Sequence, residues 1–337
     1  MIIIRPITKN DQEIFVEFSF DAALGIRNLP RDRERLQEKI QKSEYALSQD
    51  IIQPGKEEYL FVLEDLSTKR IGGVCGILTS LDPSKSYDYR IETLRTLAKH
   101  PSAVKEIKIL NLVKSKQEAS EVCSLYLQPT FRHSGQGRLL SLSRFLFIAS
   151  HRQRFRNKII AEMRGYIDSR QISPFWEAIG RHFCDLSFVE LMAQLEQERL
   201  NVHEILPTYP IYISLLPQEA QNVIGKTHEM TKPALQMLLQ EGFKLTQEID
   251  ALEAGPSLIA RTSQIRTIKN SRLIKIDTTT DVLSDEDEFI LSNVHLDFRA
   301  CYGHLQFINK TQGLIHQDVA EALKVKRNEF IRYVTLH

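Results

Sequence analysis

Cysteine is scarce in this chain: 337 residues hold four, Cys75, Cys123, Cys184 and Cys301. They stand singly, without the paired spacing of a zinc site or the density of a disulfide-stapled domain, so neither device is expected. Charge of one sign is missing as well, with 44 basic residues against 43 acidic ones and a formal net charge of +1. Such a balance offers no net field to nucleic acid or to an anionic membrane, and neither is expected as a partner. No stretch reaches the roughly 18 uninterrupted apolar residues of a spanning helix. Met1-Ile2-Ile3-Ile4-Arg5-Pro6 lacks a basic segment ahead of a long apolar one, and the expected location is the cytoplasm. Tandem repeats and low-complexity linkers are absent too. What remains is a chain 42% hydrophobic and 26% charged, long enough to bury a sizeable core.

Ile2 to Arg5 reads as a short apolar strand, and Thr8-Lys9-Asn10-Asp11 supplies capping residues before the helical pattern Ile14, Phe15, Phe18. Arg31 to Gln49 carries Leu36, Ile40 and Leu47 in the manner of an amphipathic helix. Tyr59 to Leu63 and Ile71 to Leu78, with Asp65 to Lys69 between them, predict a hairpin. Asp82-Pro83-Ser84 is a turn, and Ile107 to Val113 is a segment of strand type. Val122 to Leu127 predicts a strand, Leu139 to Ile148 a helix apolar on almost every side, and Lys158 to Met163 another buried strand. Ser173-Pro174 starts a further helix, Ile211 to Leu216 is another apolar segment, and Thr231-Lys232-Pro233 caps a helix that ends at Glu241-Gly242-Phe243. Together these predict an α/β fold with a mixed sheet. From Ser263 the pattern turns to short β runs, Leu273 to Ile276 and Phe289 to Leu291, then a helix near Ile315 to Leu323. The expected division is a domain over 1–262, with a helix-containing part at 206–250, and a small β-rich domain over 263–337.

The most informative run is Val122 to Leu127 followed by Gln128-Pro129-Thr130-Phe131-Arg132-His133-Ser134-Gly135-Gln136-Gly137-Arg138. It is a strand that empties through a proline into an R-x-x-G-x-G turn and then a helix. Two glycines let backbone N–H groups crowd together, and a helix start adds unpaired donors and the positive end of its dipole. A pyrophosphate is the natural ligand; a glycine turn of purely conformational purpose is the plainer alternative.

The opening I-R-P-x-T-x-x-D at Ile4 to Asp11, the hairpin and this turn, in that order, resemble the acyl-CoA N-acyltransferase superfamily. More specifically, the chain is similar to the arginine N-succinyltransferase family from residue 1 to about Asp250. The segments that carry the likeness include Phe61-Val62-Leu63-Glu64-Asp65, Glu121 to Arg132, Ser143-Arg144-Phe145, Ala161 to Gly165, Ser173-Pro174-Phe175-Trp176 and Pro210 to Phe243. The resemblance implies an acyl-CoA N-acyltransferase (GNAT-like) fold, and succinyl-CoA as co-substrate with no metal. It implies arginine or a related basic amino acid such as ornithine as acceptor, a place in arginine catabolism, and it leaves a homo-oligomer open. It places a CoA site near 121–140. There the strand backbone at Leu125 and Leu127 would meet the pantetheine arm and acyl carbonyl, and Arg132, Ser134, Gly135, Gln136 and Gly137 would surround the pyrophosphate. It makes His228 the general acid/base, and the reference pKa of histidine, about 6.5, suits that role.

Glu162 and Arg164 alternate with Ala161 and Met163, so they share a face and are candidates to clamp the acceptor's charged groups; a cross-strand ion pair is the other reading. Cys123 on an apolar strand and Trp176 in a helix read as core. Gly25-Ile26-Arg27-Asn28-Leu29-Pro30, Glu92 and Ile259 depart from the family's pattern and bear on the acceptor. Two alternatives stay open: a CoA-dependent N-acyltransferase with a different amine acceptor, and a non-catalytic acyl-CoA-binding regulatory protein.

Overall fold

The computed structural model describes residues 1–22, 28–81, 87–97, 104–114, 118–197, 199–281 and 288–336. Strands β1 (Ile2–Pro6), β2 (Glu58–Asp65), β3 (Arg70–Leu78), β4 (Tyr87–Leu97), β5 (Val104–Lys114), β6 (Ser120–Leu127), β7 (Lys158–Glu162) and β8 (Ile211–Tyr212) belong to the first part of the chain. Their helices are α1 (Gln12–Asp21), α2 (Arg33–Ser48), α3 (Gln136–Ser150), α4 (Pro174–Ala178), α5 (Phe188–Glu196) and α6 (Val202–Ile205). Then come α7 (Gln218–Val223), α8 (Lys232–Gln240), β9 (Lys244–Asp250), β10 (Pro256–Arg261), α9 (Arg266–Asn270) and β11 (Arg272–Thr279). The chain ends with β12 (Glu288–Ser292), β13 (Ala300–His304), β14 (Gln306–Phe307), β15 (Gln312–His316), α10 (Gln317–Leu323) and β16 (Phe330–Thr335).

The sixteen strands of the described residues join one sheet, ordered β14-β15-β11-β16-β12-β13-β1-β2-β3-β6-β7-β10-β9-β4-β5-β8. Two neighbouring pairs, β11 with β15 and β6 with β7, run parallel. This is the mixed α/β architecture the pattern predicts. The first and last parts of the chain meet at β1, where Ile3 faces Cys301 and Ile4 faces Ala300, so the sheet runs on unbroken into the C-terminal strands.

Helix α3 explains why the centre holds. Leu139, Leu140, Phe145, Leu146, Phe147 and Ile148 are fully buried, in one cluster with Phe61 and Cys75 of the hairpin and Phe298 and Ala300 near the C-terminus. The Phe147 ring centroid lies 5.0 Å from Phe61, 5.1 Å from Tyr59 and 5.3 Å from Phe298. Each such ring removed from water contributes on the order of 2–3 kcal/mol, plus the edge-on ring contacts. A helix apolar on every side therefore has a partner on every side.

Local chemistry sets several boundaries as the sequence implies. Asp32 caps α2 by accepting the Arg35 N–H at 2.9 Å, and Ser173 caps α4 by accepting the Trp176 N–H at 3.2 Å, with proline at the first helical position. Trp176 is fully buried, as a core residue should be. Thr231 differs from expectation. Its backbone is already helical, its hydroxyl donates to the His228 carbonyl at 3.0 Å, and it caps nothing. The Asp82-Pro83-Ser84 turn and Arg27 lie outside the described residues.

Past the end of β7 the chain threads a tight seam. A Cβ on Gly165 would stand 2.0 Å from the Glu253 carbonyl oxygen, and one on Gly255 2.0 Å from that of Met163. The Gly165 N–H donates to the Glu253 carboxylate at 2.8 Å. Only residues without a side chain let these backbones approach. Gly165→Ala should lower the unfolding free energy by about 3 kcal/mol, the scale of an overpacked core, read as a drop in denaturant midpoint. An unchanged midpoint would contradict the seam.

Candidate active site

The site begins where two parallel strands part. Among the described residues strand β6 meets β7 at Ser120–Ile159 and Glu121–Ile160 alone, while β10 pairs with the other edge of β7 over its whole length, Lys158 to Glu162. Between the diverging strands lies a cavity of about 480 Å³, walled by Val122 to Leu125 on one side and Ala161 to Arg164 on the other.

At the same level β6 bulges against β3. Val74 faces Tyr126 and Gly76 faces Cys123, which leaves Ser124 and Leu125 opposite the single Cys75. Ser124 takes a φ of 51°, in the left-handed region that a serine seldom enters. Its hydroxyl donates to the Asn28 carbonyl at 2.9 Å, and the Asn28 side-chain amide donates to Glu121 at 3.0 Å, so the strained residue is held from outside the strand. Arg144 of α3 supports it from beneath. Its Nη1 donates to the Cys123 carbonyl at 3.3 Å, while Nε and Nη2 donate to the Ser141 carbonyl and hydroxyl. Arg144 is 2% exposed and among the described residues its guanidinium is held by neutral oxygens alone; burial lowers its pKa, softened by the facing thiols.

The glycine turn follows directly. Gly135, at φ 73°, is the residue before α3, and Ser134 has a φ of 48°. The backbone N–H groups of Ser134, Gly135 and Gly137 find no backbone acceptor among the described residues, so donors converge at a helix start. Above Gly137 the space is open: among the described residues a Cβ at this position would meet Leu127 at 3.6 Å and nothing nearer. The turn is pinned from the far end of the chain: the Tyr302 hydroxyl of β13 donates to the Gly135 carbonyl at 2.7 Å. Burial pushes the Tyr302 phenol up to about 12, which keeps it a donor.

The candidate residues sort themselves by what they have left to offer. Leu125 lines the cavity, but the Leu127 carbonyl is already taken by the Arg132 Nε at 2.9 Å. Gln136 spends its N–H on the His133 carbonyl and buries its side chain, so of the turn residues it offers least. Ser134 shares its hydroxyl with His133 Nδ1 at 3.2 Å. Glu162 and Arg164 both line the cavity, as do Ala161 and Met163, because strand alternation ends with β7. Arg164 makes no ion pair among the described residues, which removes the cross-strand pair as its explanation. Glu92, which accepts from Asn111 at 2.6 Å, and Ile259 stand on strands away from the cavity wall.

His228 sits beyond the Gly165 seam, its N–H donating to the Arg164 carbonyl at 2.9 Å. Its Nδ1 accepts the Met230 N–H at 3.2 Å, which puts the proton of the neutral ring on Nε2. The half-buried ring has its pKa lowered, first by burial and then by the positive charge of Arg164, with Glu229 opposing. Arg144, which holds the bulge, and Tyr302, which holds the turn, are positioning contacts that sequence reasoning misses. An arginine amid the apolar run Leu139 to Ile148 is a signal for the first; nothing local marks the second.

Cys123 is buried, with its thiol raised well beyond the ordinary range by burial, and Cys75 is pushed up to about 12 the same way. Neither is a nucleophile. No group of three or more metal-binding side chains forms among the described residues, and no helix there is long and apolar enough to cross a membrane.

A strand that bulges beside a cavity and runs into a glycine turn at a helix start suits an acyltransferase. Residues 2–267 match the family model for the arginine N-succinyltransferase beta subunit, and 272–335 match that for its C-terminal domain. The chain is 32% identical to the arginine N-succinyltransferase of Escherichia coli strain 55989 over 100% of this chain and 98% of that one. It is 35% identical to the Shigella sonnei protein of the same name over 82% and 80% of the two chains. The solved structure of arginine/ornithine succinyltransferase subunit AI from Pseudomonas aeruginosa superimposes with a TM-score of 0.90 at 32% identity, covering 100% of this chain and 99% of that one. The chain belongs to the arginine N-succinyltransferase family, and it is an acyltransferase.

Iodoacetamide applied to the native protein should label Cys184, the half-buried thiol, and spare Cys75, Cys123 and Cys301, with acyl transfer retained. Mass-spectrometric recovery of label on native Cys123 would contradict the buried assignment.

Proposed function

We propose that the protein transfers the succinyl group of succinyl-CoA to the α-amine of arginine or of a related basic amino acid, by direct attack and without a covalent enzyme intermediate. The single observation that carries this reading is the continuity of bulged strand, cavity and glycine turn along residues 120–137, beside the matched family over nearly the whole chain. The free N–H groups at Ser134, Gly135 and Gly137 would take the pyrophosphate, with Arg132 beside them. The pantetheine arm would follow β6 past Leu127 to Leu125, where the thioester carbonyl meets the bulge. Glu162 and Arg164 would face the substrates' charged groups across the cavity.

In the reaction the amine nitrogen bonds to the acyl carbon, the carbon–sulfur bond breaks, and the amine proton ends on sulfur. His228 is the group that would move that proton. Its lowered pKa keeps it neutral, and able to accept, near pH 7. Uptake at Nδ1 exchanges the cap bond from Met230 for the new proton, which the imidazolium then returns to the departing thiolate.

Incubation with succinyl-CoA and a panel of amines, following free thiol, tests the reading directly. Release is expected with arginine or ornithine, and release with no amine in the panel would overturn it. His228→Ala should reduce kcat by about a hundredfold or more and leave CoA affinity nearly unchanged; unchanged turnover would take His228 out of the mechanism. Because burial and Arg164 lower the His228 pKa while Glu229 alone opposes, the acid limb of kcat should have its midpoint below the ordinary histidine value of about 6.5. A midpoint above that value would show that the limb reports another group.

Gly137→Val should weaken CoA binding by filling the open face of the turn, and Tyr302→Phe should raise the KM for the acyl-CoA while sparing kcat, since it acts only by holding Gly135. Titration calorimetry with CoA reads the first, and steady-state kinetics the second.

A further inference from the structure

Arg164 is buried to 8% exposure in the wall of the cavity, and its Nε and one terminal nitrogen, both sealed from solvent, have no hydrogen-bond partner among the described residues. A guanidinium left in this state is costly, because its N–H donors have lost water and gained nothing in return. Burial lowers its pKa against the pull of Glu253, with the positive charge of Arg31 adding to the lowering, and among the described residues no carboxylate is bonded to it. The other guanidiniums of the wall are spent: Arg144 on Cys123 and Ser141, Arg35 on the Glu196 carbonyl. Around them stand Glu121, Glu162, Glu196, Asp250 and Glu253. An acid-rich wall receives the ammonium and guanidinium of a basic amino acid readily, and repels any carboxylate that lacks a cation of its own.

We propose that Arg164 is the carboxylate subsite for the acyl chain, and that it makes the enzyme select a dicarboxylic acyl group over a plain one. The inference rests on the acyl-transfer reading above and names the part of the donor that the site measures. A chain carried on the pantetheine arm enters the gap between β6 and β7 tip first, so its far carboxylate is the group that reaches the buried wall. The carboxylate of an amino acid lies one carbon from the attacking nitrogen and can remain toward water. An acyl-CoA whose chain ends in methyl would leave the Arg164 donors unsatisfied, and the penalty falls on that substrate alone.

The test compares succinyl-CoA with butyryl-CoA, which has the same chain length and a methyl group in place of the carboxylate. A second arm compares arginine with agmatine, which lacks the α-carboxylate. The wild type should prefer succinyl-CoA in kcat/KM by about a hundredfold, and Arg164→Met should abolish most of that preference, while the arginine-to-agmatine ratio stays where it was. Thermal unfolding of the same variant separates this from a structural role: removing an unpaired buried cation should leave Tm level or raise it, and Arg164→Lys should restore part of the succinyl preference. If Arg164→Met keeps the succinyl preference, or loses the arginine preference in its place, the subsite is not the acyl chain's and the proposal falls. If the wild type releases thiol from neither acyl-CoA with any amine, the acyl-transfer reading itself fails, and this inference with it.

Discussion

The parting of β6 from β7 just past Glu121 is the constraint on which everything else here depends. Two parallel strands that stayed paired would bury their backbone groups in each other and leave no cavity; these separate after two residue pairs, while β10 holds β7 along its other edge. The freed length of β6 then carries the bulge at Ser124, the strained serine that Asn28 and Arg144 hold in place. Beyond the connection from Gln128 to Gly135 the chain becomes the start of α3, so one continuous run carries the bulge, one wall of the cavity and the helix start.

Opening a sheet in this way costs stability, and the molecule offsets it in identifiable places. Buried backbone groups at the bulge are met by Arg144, a cation balanced by carbonyl and hydroxyl dipoles and not by a carboxylate. The rings of Tyr59, Phe61, Phe147 and Phe298 lock helix α3 between the hairpin and the C-terminal strands. The last part of the chain is thus joined to the site twice, through Phe298 in the core beneath α3 and through the Tyr302 hydroxyl on Gly135. The second tie sets the position of a turn that glycine alone would leave loose.

Elements whose cause is local are legible in the amino-acid sequence. The hairpin at 58–78, helices α2 and α3 and the Ser173-Pro174 start announce themselves by alternation, by period or by a capping side chain. Strands β4 and β9 are not legible, because much of their length faces solvent and carries polar residues that break the alternation a strand should show. The site divides the same way. Gly135 and Gly137 are visible because a turn demands them, and His228 and Leu125 are reached through family likeness rather than through any signal of their own. The bulge leaves no trace, since Ser124 looks like any strand serine, and Tyr302 is 167 residues from the turn that it holds. That Arg164 pairs with no carboxylate among the described residues is a property of packing, which sequence alone does not display.

The central claim is that one strand presents the acyl donor from turn to bulge. The measurement that tests it most directly is a crystal structure with a thioether analogue of succinyl-CoA and arginine bound together. Pyrophosphate density is expected against the N–H groups of Ser134, Gly135 and Gly137, the sulfur-bearing end beside Ser124 and Leu125, and the amino acid in the cavity within reach of His228. Density for the pyrophosphate away from that turn, or for an acyl chain outside the gap between β6 and β7, would contradict it.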